Sequence, residues 1–274
     1  MEHSDVSAAL AVKDVRLTYP NGARALDGIS LTVAHGEFLS IIGPNGSGKS
    51  SLLRAAAGLQ PVNSGELRLD GDPVAALNVR ERARRVALVP QSLNVLPGYS
   101  VEDFVLLGRY AHLQGWRLYS RHDRDVAREN LRRVDALEFQ ERFMDQMSGG
   151  ERQRALIARA LTQEARTILL DEPTSALDLK HQLIVYNLIY QMHRDAGRTI
   201  VVVTHDLNLA SQFSDRLVLM QKGRVVMQGP PAEVLRPEIL EKVYETSLAY
   251  GAFDQTVAGA ARPWVLPWAK PEKS

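Results

Sequence analysis

The chain has 274 residues, 45% of them hydrophobic and 24% charged, and its 33 Lys+Arg against 32 Asp+Glu leave a formal net charge of +1. That balance excludes an acidic disordered chain and a histone-like polycation, and a chain of this length buries roughly 75% of its unfolded surface, enough for a core without staples. Zero cysteines exclude disulfide frameworks, thiolate zinc sites, iron–sulfur clusters and cysteine nucleophiles together.

In chain order, Met1-Glu2-His3-Ser4-Asp5 lacks the basic-then-apolar layout of an export signal. From Leu10 to Phe38 the apolar positions alternate (Leu10, Val12, Val15, Leu17, then Ile29, Leu31, Val33) around turns at Pro20-Asn21-Gly22 and His35-Gly36. This predicts an antiparallel β layer built of hairpins. Beyond Gly36 the strands become continuous apolar runs, Phe38 to Ile42, Val86 to Val89, Thr167 to Leu170 and Thr199 to Val203, as expected of parallel strands buried on both faces. A helix over Ser50 to Gly58 follows the first of them. Between Ser92 and Gln146 only helical periodicity is evident, at Val101 to Leu107 and Asp123 to Val134, so a helical lobe over about 92–160 is predicted as an insertion. Arg216 to Gly229 is predicted as strand, turn and strand, and Ala232 to Tyr244 as helical. The Ala-, Gly- and Pro-rich stretch with Trp264 and Trp268 is expected to be a surface tail, 247–274, behind a domain over 10–246. No apolar run reaches the ~18 residues of a spanning helix, so a membrane role would need a partner.

The chemistry concentrates at strand ends. Gly43-Pro44-Asn45-Gly46-Ser47-Gly48-Lys49-Ser50 fits G-x-x-x-x-G-K-[ST] between a buried strand and a helix. Its glycines let backbone N–H groups curl around a phosphate, the helix N-terminus adds its positive end, Lys49 reaches β and γ oxygens, and the Ser50 hydroxyl is placed for Mg²⁺. Ile168-Leu169-Leu170-Asp171-Glu172 ends another buried strand with two acids: Asp171 for the metal side, Glu172 to orient or deprotonate water. Gln91 and His205 end two more strands, and in open parallel sheets ligands bind outside the carboxyl ends of the strands, so all four side chains are expected to converge. Ser148-Gly149-Gly150-Glu151 has the form of a capping box. Two glycines in a first helical turn weaken the helix, which local structure does not explain, and they expose N–H groups as a second anion site. A head-to-tail dimer would bring one site to the other.

This ordered set, with Tyr19, Met147 to Gln153, Ser175 to Asp178 and His205, resembles the nucleotide-binding subunit of ABC transporters over about Leu10 to Tyr244. The resemblance implies an α/β P-loop NTPase core with an antiparallel β layer and an inserted helical lobe. It implies that Tyr19 stacks on adenine, that Gly43, Pro44, Asn45, Gly46, Ser47, Gly48, Lys49, Ser50 and Ser51 wrap the phosphates of ATP, and that Gln91 senses Mg²⁺ and the attacking water. Ser148, Gly149, Gly150 and Glu151 would contact the γ-phosphate held by a second copy, Asp178 would bridge the copies, Glu172 would be the base and His205 the γ-phosphate switch. Met147 and Glu151 stand where Leu and Gln are commoner. Arg82 to Val86, Leu107 to His112 and His205 to Ala210 resemble the ATPases of ferric siderophore, haem and cobalamin importers, which implies a homodimer on the cytoplasmic face of a bacterial membrane, working with a permease and, indirectly, a substrate-binding protein. An exporter subunit and a soluble ABC ATPase are the alternatives. Arg80 to Arg85 is expected to be a solvated helix face, not a nucleic-acid contact. Leu93, Val95, Leu96 and Val101 are expected to form an apolar patch for the permease.

Overall fold

The computed structural model describes residues 8–92, 97–113, 118–254 and 261–268. Strands β1 (Ala8–Thr18), β2 (Arg24–Ala34) and β3 (Phe38–Ile42) lead to helix α1 (Lys49–Ala56), then β4 (Ser64–Leu69), β5 (Asp72–Pro73), α2 (Val79–Arg85) and β6 (Val86–Val89). Helices α3 (Val101–Leu106), α4 (Arg121–Arg133) and α5 (Gly149–Thr162) precede β7 (Thr167–Asp171), α6 (Leu179–Ala196), β8 (Thr199–Val203) and α7 (Leu207–Phe213). Next come β9 (Arg216–Gln221), β10 (Arg224–Gly229), α8 (Pro231–Val234), α9 (Pro237–Tyr244), β11 (Leu248–Phe253) and β12 (Arg262–Pro267).

The alternating strands form an antiparallel sheet of order β2-β1-β4-β5, its apolar residues inward. The larger sheet runs β10-β9-β3-β8-β7-β6, parallel except for the edge strand β10. Every residue of β3, β7 and β8 is buried, because helices or the first sheet cover both faces. At His35-Gly36 the chain therefore crosses from one sheet to the other instead of closing the expected hairpin: a strand apolar on both faces has no place in a layer with one wet face. The layer's third strand is β4, whose Leu67 and Leu69 point inward while Glu66 and Arg68 point out.

One core lies between the antiparallel layer, α1 and the large sheet, around Val15, Ile29, Ile41, Leu52 and Val203. A second joins the opposite face of that sheet to α3, α4 and α5 through Phe104, Leu131, Leu156 and Tyr186. Complete burial of a side chain such as Phe104 contributes about 1.5–3 kcal/mol. Ser100, Ser120 and Ser148 accept N–H bonds at the starts of α3, α4 and α5, and Arg109 is held by Asp123 at 2.8 Å and Glu164 at 2.6 Å.

Two further expectations change. Val101 is fully buried in the lobe core and belongs to no exposed patch; Leu93, Val95 and Leu96 lie outside the described residues. Helix α2 buries no residue and its arginines face solvent as expected, while Arg84 also donates to the Ala111 carbonyl at 3.0 Å and Arg85 to the Leu69 carbonyl at 2.9 Å. The stretch expected as a tail pairs as the antiparallel hairpin β11–β12. Gly251 sits opposite Trp264, so close to the indole that a Cβ would lie 2.1 Å from it, which is how a Gly-rich segment and a Trp-Pro segment fit together. Val265 of this hairpin enters a third core with Ile42, Ala210, Leu219 and Leu240.

Candidate nucleotide site

The loop between β3 and α1 holds its shape through backbone positions that only glycine takes easily. Gly43 has φ 146° and Gly48 φ 99°, and a Cβ at either would fall 2.1 Å from the Met220 carbonyl oxygen or 2.2 Å from that of Ala25. Gly48 is the N-cap residue of α1, so no side-chain cap intervenes and the helix N–H groups face the loop. Lys49 folds back into the loop, donating to the carbonyls of Gly43 at 2.8 Å and Pro44 at 3.0 Å. Burial lowers its pKa below the usual lysine range, against the pull of Glu172 and Asp171.

At the end of β7, Asp171 is 2% exposed and accepts a hydrogen bond from Ser50 Oγ at 2.8 Å. Burial raises its pKa; the Ser50 bond opposes the rise and the Glu172 charge adds to it. Glu172 has φ 47°, a left-handed conformation that costs a non-glycine residue about 1–2 kcal/mol. Its N–H donates to the Val203 carbonyl at 2.9 Å and its carbonyl accepts from Ser175 Oγ at 3.1 Å, two bonds that hold the strained residue. The role of Ser175 was not foreseen; its position three residues after Glu172 is the local signal. The strained backbone aims the carboxylate at its neighbours: Gln91 Nε2 donates to Glu172 Oε2 at 2.8 Å, and His205 Nδ1 stands 3.5 Å from the same oxygen. Sheet order explains the meeting, since β8 and β6 flank β7 and end level with it.

Lys49, Ser50, Gln91, Glu172 and His205 line one cavity of about 740 Å³ together with Asn45, Gly46, Ser47, Gly48, Ser51 and Tyr19. Tyr19 Oη lies 3.1 Å from Ser51 Oγ, fixing the ring beside α1. Arg24 also lines the cavity, with no signal in the sequence beyond its position after the turn. Ser148, Gly149, Gly150, Glu151 and Asp178 do not line it. Ser148 and Glu151 close a reciprocal cap on α5, through Ser148 N–H to Glu151 Oε2 at 2.8 Å and Glu151 N–H to Ser148 Oγ at 3.4 Å. Gly149 has nothing within 4 Å of a would-be Cβ, so the start of α5 is open. Asp178 caps α6, accepting from the His181 N–H at 2.9 Å. Gln91 also borders a smaller cavity of about 160 Å³ with Gly149 and Arg152, so its segment touches both regions.

The residues fit a divalent cation in one specific sense. A buried carboxylate beside a hydroxyl and a second acid calls for positive charge, yet among the described residues no group of three or more acidic or His side chains gathers that would cage a metal alone. Mg²⁺ is commonly held by one or two carboxylates plus substrate phosphates, and this donor set suits that mode.

A glycine loop on a helix start after β3, an acid pair at the end of the parallel strand β7, with β8 between the two strands, and a large open cavity between them define a P-loop nucleotide hydrolase. Residues 26–175 match the family described as ABC transporter, and the chain belongs to that family. It is 35% identical over 248 residues to the petrobactin import ATP-binding protein YclP of Bacillus subtilis, covering 90% of this chain and 97% of that one. It is 42% identical over 226 residues to the hemin import ATP-binding protein HmuV of Streptomyces coelicolor, covering 82% and 79%. Among solved structures, a transporter described as metal-chelate type, in an inward-facing conformation, superposes with TM-score 0.80 at 28% identity over 96% of this chain and 98% of that one. A dimeric bacterial ABC transporter cassette superposes with TM-score 0.76 at 32% identity over 81% and 98%.

Proposed function

We propose that the chain is the ATP-hydrolysing subunit of an ABC importer, powering uptake of an iron–siderophore, haem or cobalamin-type compound through a separate membrane permease. The observation that carries the chemistry is the meeting of Gln91, Glu172 and His205 across one cavity from Lys49. The relatives named for import of petrobactin, hemin and cobalamin support the direction of transport and the class of cargo.

In this reading Lys49 and the N–H groups of Gly46 to Ser51 neutralise phosphate charge, and Tyr19 stacks on adenine. Glu172 holds and takes a proton from the attacking water, Gln91 orients the Glu172 carboxylate through its hydrogen bond, and His205 contacts the γ-phosphate. Ser50, Asp171 and Gln91 would hold Mg²⁺, which when bound supplies charge neutralisation at the phosphates. The start of α5 at Ser148 to Glu151 is open and lies outside the cavity of its own chain, which supports a head-to-tail homodimer in which it meets the γ-phosphate bound by the other copy and Asp178 bridges the two. Among the described residues no helix is long and apolar enough to cross a membrane. We assign the protein to the cytoplasmic face of the membrane, docked on its permease, with any substrate-binding protein acting through that permease. Residues 10–246 form the ATP-binding domain, and about 92–160 its inserted lobe.

Two substitutions test the reading. Lys49→Ala weakens nucleotide binding measured by fluorescent ATP analogue titration, while Glu172→Gln binds ATP and loses about 10²- to 10⁴-fold in turnover. Normal turnover of Glu172→Gln would remove it from the base role.

A further inference from the structure

The hairpin β11–β12 does not line the nucleotide cavity, yet it is bonded to the helix that begins just after His205. Asp206 caps that helix, its Oδ1 accepting from the N–H groups of Asn208 and Leu209 at 2.9 Å each, so the first turn of α7 is built directly onto the His205 backbone. The Asn208 side chain faces the other way. Its Oδ1 accepts from the Val265 N–H at 2.8 Å and its Nδ2 donates to the Val265 carbonyl at 3.1 Å. Among the described residues this sheet has two strands, and the Asn208 carboxamide supplies both bonds that a neighbouring strand would give at that position. One turn on, Ser211 Oγ donates to the Pro263 carbonyl at 2.6 Å, and Arg262 donates to the Ser214 carbonyl at 3.1 Å. Val265 is 4% exposed and belongs to the same core as Ala210 of α7 and Ile42, the residue before Gly43 of the loop.

We propose that Asn208 is a positioning residue for His205 and that the hairpin is the strap through which it acts, fixing α7 against the strand that carries the phosphate loop. The proposal rests on His205 acting at the γ-phosphate, as set out above. His205 is itself 63% exposed by side chain, and apart from Glu172 at 3.5 Å little around it would fix its place. The address of the imidazole is set on one side by the end of β8 and on the other by where α7 begins, and α7 is tied on its far side to a hairpin that shares a core with Ile42. If the bonds served only to glue the hairpin down, their loss would lower stability and leave turnover unchanged. A catalytic group displaced by about 1 Å instead loses up to about 10²-fold in rate.

The test uses the full chain. ATP hydrolysis is measured across a range of MgATP concentrations for Asn208→Ala, alone and combined with His205→Ala. The expected result is a fall in kcat of about tenfold with KM for ATP within about twofold, and no further fall when His205 is already Ala, as for two residues acting through one group. Ser211→Ala, which removes only the Pro263 bond, gives a smaller fall of the same kind and carries the test if Asn208→Ala does not fold. Unchanged kcat in the variant that folds, or an equal fall with and without His205, overturns the proposal. Hydrolysis absent from the wild-type chain overturns the ATPase reading instead.

Discussion

Two glycines of the phosphate loop share a left-handed backbone and differ in what surrounds them, which makes them a matched pair for measuring packing at the site. Gly46 has φ 75° and nothing within 4 Å of a would-be Cβ; Gly48 has φ 99°, and its Cβ would lie 2.2 Å from the Ala25 carbonyl oxygen and 3.2 Å from Leu26 Cδ2. Gly46→Ala therefore carries only conformational strain, about 1–2 kcal/mol. Gly48→Ala carries the same strain plus an overpacking cost of about 1–3 kcal/mol. The added methyl meets backbone oxygen, not the end of a flexible side chain, and comfortable non-bonded separations begin near 3.5 Å, so the start of α1 must move from β2 by about 1 Å. At about 2–4 °C per kcal/mol for a chain of this size, Gly48→Ala melts roughly 2–12 °C below Gly46→Ala. Lys49 and Ser50 open α1 and move with it, so nucleotide affinity falls more than about tenfold, beyond 1.4 kcal/mol. Thermal melts of both variants without nucleotide, followed by titration of Gly48→Ala with a fluorescent ATP analogue, measure the two effects. Equal melting temperatures for the pair would refute the close packing of α1 on β2.

Two further outcomes are expected. Burial raises the Asp123 carboxyl, but the Ser120 bonds and then the Arg109 guanidinium outweigh it and hold its pKa at about 2 against 3.8 unperturbed. A lowered folded-state pKa means stability present above 3.8 and lost as pH falls toward 2, about 2 kcal/mol in all, so the urea-midpoint advantage of wild type over Asp123→Asn shrinks between pH 5 and pH 3; a gap independent of pH would contradict this. In the dimer, Lys49→Ala chains mixed with Ser148→Arg chains recover part of the ATPase activity that neither has alone, because hybrids keep one composite site intact. A mixture no more active than its components would exclude shared sites.

Features set by a few adjacent residues were legible in the chain. The loop Gly43 to Ser50 was visible because its glycines answer a local steric demand, and the Ser148–Glu151 cap because its two bonds close within three residues. Buried parallel strands were visible because burial on both faces leaves unbroken apolar runs. Helix α6 went unremarked although it is 18 residues long: it buries only a stripe, Val185, Tyr186, Leu188 and Ile189, within a polar sequence. Val101 was misplaced because apolar character marks a residue for burial without saying against what.

Tertiary structure alone decided how remote segments meet. Gln91 and Glu172 are separated by 81 residues and bonded at 2.8 Å, because β6 and β8 both lie beside β7 in a sheet whose spatial order differs from chain order. The hairpin's attachment to α7 spans 57 residues through Asn208, a polar residue whose helix position gave no sign that its amide would complete a sheet edge. Periodicity reports which face of an element is covered; which element covers it depends on strand order and crossovers, and those are settled by the packing of the whole chain.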